Sequence, residues 1–476
     1  MNAYAQGLKL QATGRHAEAI ACFETALAAK PGDTHTLFAL GNTARDLGMA
    51  RPAEEFFRRV LALEPGRLEA LINLANLLRA NGQFAAAQAL LAPVLADVPE
   101  LWLTMGSIHR EQGDSAKAEA HYRRALELRP DYPAALCNLA DLAAPEEALP
   151  LYDRAILRDP RNPQATLNRA ILHLLHGNLV DGWRDYAARL KVPGKAPVCD
   201  HALPRWDSSP RKNKRLLVTA EQGVGDQIMF ASLFGELGAN VILECDPRLV
   251  SLFARSFPNA VVKPAQMESR AGIVTAHYGW LKQSGGANLA IEMGSLPKLL
   301  RKRLGQFPRP HAYLVPEPAP KRGGAIGICW RSGKLGGERS RQFAPLEAWA
   351  AFIRDIPGEI VSIQYDATRE EVAALESHSG RAITMIEGLD QKNELDRACT
   401  LFSTLDAVVS APTAVSWLAP AVGVPTCKIL YDTSWTAFGQ DYEPLAPACS
   451  LMMPGSPGDW RSVFAKTAAR IKTEAK

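Results

Sequence analysis

Disulfide and zinc chemistry have little to work with in this chain. Its eight cysteines (Cys22, Cys137, Cys199, Cys245, Cys329, Cys399, Cys427, Cys449) stand far apart with no CxxC pair, which argues against a disulfide framework and a zinc knuckle. No apolar run approaches the roughly 20 residues of a membrane span. The opening MNAYAQGLKLQATG lacks a basic stretch followed by an apolar one, so the expectation is a cytoplasmic protein with no membrane span. Excess charge of one sign is also scarce: of 54 basic and 50 acidic residues, 22 of each fall before position 196, and the net +4 belongs to the remainder. Nucleic-acid binding would need clustered cations with stacking aromatics and is not indicated, whereas a small-anion site is. What is present is 476 residues, 47% hydrophobic and 22% charged, which is more than one core uses and too apolar for disorder.

Self-similarity dominates the first part. Pro31, Pro65 and Pro99 recur every 34 residues, followed at slightly shorter steps by Pro130 and Pro160, while Gly14, Gly48, Gly82, Gly113 and Gly177 hold phase. That period is the tetratricopeptide repeat's. Leu37, Leu40, Gly41, Gly48, Ala53, Phe57 and Pro65 complete the pattern in the second unit, and Trp102, Gly106, Gly113, Ala118, Tyr122 and Pro130 in the fourth. The fifth unit is short where Ala143-Ala144-Pro145-Glu146 replaces the usual turn, and the sixth ends in Gly182-Trp183-Arg184-Asp185-Tyr186, a bulky ending that suits a capping repeat docked on the next domain. Residues 1–192 are thus expected to form an all-α superhelix of about six hairpins with a groove lined by first helices. Asn42, Asn73, Asn76, Asn138 and Asn168 fall at groove-facing phases, where side-chain amides can hold an extended peptide backbone whatever its sequence. Polar residues on a solvated helix face are the plainer explanation.

Residues 193–213 are a proline-rich linker. Beyond it, β-branched runs alternate with amphipathic stretches: Leu216 to Thr219, Val241 to Glu244, Ala260 to Val262, Ala325 to Trp330, Ile360 to Tyr365, Ile383 to Ile386, Ala407 to Ser410 and Thr426 to Leu430. Strands separated by helices predict doubly wound parallel sheets. The proline-rich stretch from Phe307 to Lys321 splits the set into two Rossmann-like halves, 214–318 and 319–476, with a last helix over Asp459–Ile471.

Three segments stand at strand ends, where such folds place chemistry. The first is Glu221-Gln222-Gly223-Val224-Gly225-Asp226. Asp226 is either a helix N-cap, worth about 1 kcal/mol, or a general base aimed into a cleft. This is not the spaced GxGxxG of a nicotinamide site. The second runs from Trp330 to Arg341, WRSGKLGGERSR; its cations, Arg331 and Lys334 among them, and its glycines suit a phosphate-bearing ligand, or else form a solvated loop. The third, Ser410-Ala411-Pro412-Thr413-Ala414-Val415-Ser416, offers free amides at a helix start, or ordinary capping by Thr413. His277, in TAHYGW, is either a ligand contact or base, or a structural histidine beside aromatics. No DxD-like carboxylate pair and no His/Cys cluster lies beside these loops.

The order of the repeats ending in GW-x-x-Y, then PRWD, AEQGVGDQIMFA, GICWRSG, SIQY, LDAVVSAPTAV and VGVPT resembles bacterial repeat-fused glycosyltransferases of the GT-B fold. Within these the chain is most similar to flagellin-glycosylation proteins, and its second part is distantly similar to heptosyltransferases and O-linked N-acetylglucosamine transferases. The resemblance covers almost the entire chain. It implies a protein O-glycosyltransferase with two parts: an acceptor-side half carrying Glu221, Gln222, Gly223, Gly225 and His277 with Asp226 as base, and a donor-side half. On the donor side it implies Arg331, Ser332 and Lys334 in the phosphate loop, Gln364 and Tyr365 near the nucleotide, and Ser410, Thr413, Ala414, Val415 and Ser416 at the phosphate-binding helix start. Pro412 and Trp417 stand where many relatives have Asp and His. The implied chemistry needs neither a metal nor a bound cofactor, with which the want of a DxD-like pair and of a His/Cys cluster agrees. The implied donor is a nucleotide-sugar, CMP-nonulosonic acid or UDP-N-acetylhexosamine; the implied partner is a protein acceptor, flagellin foremost. A non-catalytic repeat adaptor with a degenerate transferase domain is the alternative.

Overall fold

In the computed structural model, which describes residues 2–221, 223–270, 273–307, 312–333 and 342–474, the chain divides into two compact units, Met1–Ala165 and Thr166–Lys476. The first is a run of helical hairpins: α1 (Ala3–Ala12) with α2 (His16–Ala29), α3 (Thr34–Asp46) with α4 (Ala50–Leu63), α5 (Leu68–Ala80) with α6 (Phe84–Leu91), α7 (Pro99–Gln112) with α8 (Ser115–Leu128), and α9 (Pro133–Ala140) with α10 (Pro145–Arg158). The phased glycines make the turns: Gly14, Gly48, Gly82 and Gly113 have φ between 72° and 85°, which a side chain disfavours. A second glycine phase makes the packing. A Cβ on Gly41 would stand 2.6 Å from the Phe57 ring, and one on Gly106 2.5 Å from Tyr122, so these two hairpins each close around a fully buried aromatic. Two units depart from the pattern. Pro93 removes a helical N–H, and α6 gives way to a 3₁₀ turn at Ala92–Val94. In the fifth unit, α9 stops at Ala140 and Pro145 opens α10.

The second unit begins inside α11 (Pro163–Leu175), which pairs in sequence with α12 (Leu179–Tyr186) and a 3₁₀ turn at Ala187–Lys191. Packing thus puts the break between the units at 165/166 and not at 192. The reason is that Leu167, Ala170, Leu174, Leu179, Trp183 and Tyr186 share one core with the α/β layer. Trp183 meets Phe438 at 5.5 Å and Tyr186 meets Trp435 at 5.3 Å between ring centroids.

The strands are β1 (Val198–Cys199), β2 (Leu216–Thr219), β3 (Val241–Cys245), β4 (Ala260–Pro264), β5 (Met267–Arg270), β6 (Ile273–Ala276), β7 (Leu289–Glu292), β8 (Ala325–Cys329), β9 (Glu359–Ser362), β10 (Ile383–Thr384), β11 (Ala407–Ser410), β12 (Thr426–Ile429) and β13 (Cys449–Met452). Helices α13 (Val224–Ala231), α14 (Val250–Ser256), α15 (Leu296–Leu300), α16 (Leu346–Asp355), α17 (Arg369–Ser379), α18 (Leu395–Ser403), α19 (Val415–Ala421) and α20 (Trp460–Glu474) alternate with them. Two sheets are wholly parallel, ordered β4-β3-β2-β7 and β10-β9-β8-β11-β12-β13; a small third sheet, β1-β6-β5, is mixed. Strands such as β2, β3, β8 and β11 are buried along their length, which is why they read as unbroken apolar runs. From β8 the larger sheet grows through β9 and β10, then restarts on the other side with β11, so β8 and β11 diverge at a switch point where Cys329 pairs with Ser410. In the smaller sheet β2 and β7 do the same, Thr219 pairing with Glu292. Crevices at such points are where doubly wound folds bind ligands.

Candidate active site

The loop after β2 leads into α13. Asp226 is the third residue of that helix, behind an N-cap at Gly223, and its Oδ2 accepts the Gly223 N–H at 3.2 Å. The carboxylate therefore reaches back to the helix start from within, and is not itself the N-cap. Asp226 is half-buried, and burial raises its carboxyl above the ordinary aspartate range. Beside it, the two switch points meet: a Cβ on Gly225 would lie 3.5 Å from the Trp417 ring and 3.7 Å from the Cα of Ala414. Gly223 is exposed, and Gln222 lies outside the described residues. Glu221 is 1% exposed and turned away from solvent into an ion pair with Arg189, so it is a packing residue and not a cleft contact. His277 follows β6 on the small sheet, its Nδ1 2.9 Å from Asp200 Oδ2 and its Nε2 3.5 Å from Glu268 Oε2; the structure groups it with these carboxylates.

On the other side, the turn after β8 is built by Gln364. Its Oε1 accepts the N–H groups of Trp330 and Arg331, each at 3.0 Å, and its amide donates to the Arg331 carbonyl at 2.9 Å and to Asp366 Oδ1 at 2.7 Å. A buried amide with these bonds shapes the loop and has little left for a ligand. Arg331 is likewise committed. Nε and Nη2 donate to the two Glu371 oxygens at 2.5 and 2.7 Å, and Nη1 donates to Asp366 Oδ2 at 2.9 Å. Arg331, expected in the phosphate loop, thus has its charge offset by two carboxylates. Tyr365 accepts the Gly333 N–H through its hydroxyl at 2.5 Å. Ser332 is buried, and Lys334, with the loop through Arg341, lies outside the described residues. At the start of α19, Thr413 Oγ1 accepts the Val415 N–H at 3.3 Å, while Ser410 and Ser416 are fully buried and donate to local carbonyls at 2.7 and 2.8 Å. Of this segment, Thr413 and Ala414 are half-buried and reach the surface, whereas Val415 is buried.

The asparagine series works partly within the repeats. Asn73 Nδ2 donates to Asn42 Oδ1 at 2.8 Å, and Asn138 Nδ2 to Ser107 Oγ at 3.5 Å, bridging neighbouring hairpins. Asn76 makes no such bond among the described residues. Asn168 sits in α11, within the second unit, so the series in the array ends at Asn138. Among the described residues no group of three or more His, Cys, Asp and Glu converges as a metal site requires.

Two buried groups were missed at the sequence level, although each shows as a lone charge inside an apolar strand, VILEC and TCKI. Lys428 pairs with Glu443 at 2.6 Å beneath the Trp417 ring, 3.8 Å from its centroid. Glu244 Oε2 accepts from the Ala220 N–H at 2.9 Å and the Tyr278 hydroxyl at 2.8 Å, and burial pushes its carboxyl up to about 7. The unfolded chain ionises this residue near the ordinary glutamate value. Between that value and about 7 the native state holds a proton the unfolded state has lost, so this group costs stability as pH rises. Glu244→Gln keeps the acceptor oxygen. Urea denaturation is expected to show its stability relative to wild type growing from about pH 4.5 to about pH 8, by at most about 3 kcal/mol.

Tetratricopeptide repeat families match residues 4–68, 44–104, 99–142 and 134–196. Over 97% of its length the chain is 30% identical to Protein FlbA of Caulobacter vibrioides, spanning 82% of that protein. Among solved structures, a thermophilic tetratricopeptide protein of Thermus thermophilus aligns at 28% identity over 36% of this chain and 98% of its own, with a TM-score of 0.32. PilF of Pseudomonas aeruginosa aligns at 18% identity over 40% and 88%, with a TM-score of 0.34. Among the described residues no helix is long and apolar enough to cross a membrane.

Proposed function

The chain belongs to the family of Protein FlbA, and from that premise we propose that it is a GT-B glycosyltransferase moving a sugar from a nucleotide donor to Ser or Thr hydroxyls of a protein acceptor. The repeats engage the acceptor, for which flagellin is the leading candidate, and the work is done in the cytoplasm. The observation that carries this reading is the meeting of two switch points, Gly225 of one parallel sheet against Trp417 and Ala414 of the other, with a carboxylate of raised pKa, Asp226, on the acceptor side. Asp226 takes the proton of the attacking hydroxyl as the new glycosidic bond forms. The departing diphosphate or monophosphate is met by Lys334 and by the backbone at Thr413 and Ala414.

Glu371 and Asp366 offset the charge of Arg331, and Lys334 is the residue proposed to contact the donor phosphate. Calorimetry with UDP-, GDP-, CMP- and ADP-linked sugars is expected to find one donor bound. Lys334→Ala should weaken that donor by roughly ten- to a hundredfold, the equivalent of one charge-assisted contact. A wild-type protein that binds none of these donors would favour the adaptor.

A further inference from the structure

Arg189 ends the sixth hairpin, and Glu221 stands directly ahead of the turn that carries Asp226. They are 2% and 1% exposed. Arg189 Nε and Nη2 donate to the two Glu221 oxygens at 3.1 and 2.5 Å, Nη2 also donates to Ser295 Oγ at 2.9 Å, and Nη1 donates to the Tyr186 carbonyl at 3.2 Å. The guanidinium lies 4.7 Å from the Tyr186 ring centroid. Glu221 Oε1 also accepts the Gly294 N–H at 2.8 Å, and Gly294 has no room for a side chain, since a Cβ would lie 2.6 Å from that oxygen. Thus one carboxylate joins the last hairpin, the end of β2 and the turn after β7.

A dry ion pair is a poor way to gain stability, because both ions lose their water and an apolar pair of like volume holds two elements as well or better. What the planar fork adds is direction. It fixes the Glu221 side chain on two oxygens, and so fixes the chain where it enters the Gly223–Asp226 turn. We infer that Arg189 and Glu221 are positioning residues for Asp226, which makes the last repeat hairpin a working part of the transfer site. This rests on the reading of Asp226 as the base.

Glu221 also shapes the charge around Asp226. Glu221 raises its carboxyl and Lys195, on the turn after the hairpin, lowers it; α19 and the Met293–Ser295 turn carry no ionisable side chain. In the full chain, Glu221→Gln removes the negative neighbour and leaves Arg189, so the acid limb of kcat/KM should move to lower pH. In Arg189→Met/Glu221→Gln the negative neighbour is equally absent, so the limb should again lie at lower pH than in wild type. The kcat of the double variant should nevertheless stay down by about tenfold or more, with donor KM within about twofold, as expected for a misplaced base. A purely structural pair would leave the kcat of the double variant near wild type. An unmoved limb in Glu221→Gln, or a kcat within about twofold of wild type in the double variant, overturns the inference.

Arg189→Lys keeps the charge and loses the fork, and hydrogen exchange on it needs no turnover. Residues 223–228 should exchange faster than in wild type while Val241–Cys245 keeps its protection. Unchanged exchange at 223–228 overturns the inference. If wild type transfers no sugar, the functional reading fails by itself, and this exchange result still decides whether Arg189 holds the turn.

Discussion

Asp226→Asn is expected to leave the protein folded and to lower sugar transfer by about 10²- to 10⁴-fold, the usual cost of losing a general base. Asparagine keeps an oxygen that can accept the Gly223 N–H now held at 3.2 Å, so the start of α13 should survive. What it loses is basicity. Burial already raises the wild-type carboxyl, so the native state takes up a proton more readily than the unfolded chain, and stability from this group falls as pH rises through that interval. Asp226→Asn should therefore be as stable as wild type at neutral pH, or more so, which separates lost chemistry from lost fold. In wild type, transfer should fall off on the acid side at a pH above that of an ordinary aspartate. Assay of the purified variant with donor and acceptor checks this. Activity within a few-fold of wild type, in a protein that melts normally, would return Asp226 to holding the turn.

What was legible in the sequence was whatever repeats or alternates. The glycine and proline phases located the hairpins because a left-handed turn residue and a close-approach residue leave marks at fixed spacing. The apolar runs located eight of the strands, because most of them are buried on both faces and are therefore largely apolar. Strand β7, Leu289–Glu292, was missed because LAIE offers a single β-branched residue. Strand β13, Cys449–Met452, was missed for want of β-branched residues. Partnership was not legible at all. Arg331 reads as a free cation beside glycines, and nothing nearby announces Glu371, 40 residues later. Gln364 is placed near the nucleotide by the family resemblance alone, and its amide is spent on the neighbouring turn. The repeat period likewise assigns the sixth hairpin to the array, because a period describes the chain and is blind to the surface a helix is buried against.

That last point sets the second large effect. A chain beginning at Pro204, inside the linker where the sequence invites a cut, is expected not to fold, whereas one beginning at Asn162 should fold and bind the donor. The shorter chain loses Arg189 and leaves Glu221 with a buried, unpaired charge, a change that costs about 3–5 kcal/mol. It also loses Trp183 and Tyr186, which cover Trp435 and Phe438; each large side chain buried contributes about 1.5–3 kcal/mol. Together these approach the whole net stability of a domain, about 5–15 kcal/mol. The longer chain keeps all of them, and its Asn162 side chain accepts the Gln164 N–H at 3.0 Å near the start of α11. Soluble yield, a cooperative thermal transition and donor calorimetry on both fragments make the comparison. If the Pro204 chain melts within a few degrees of the Asn162 chain, the sixth hairpin is a dispensable cap, and the division between repeats and α/β layer belongs in the linker after all.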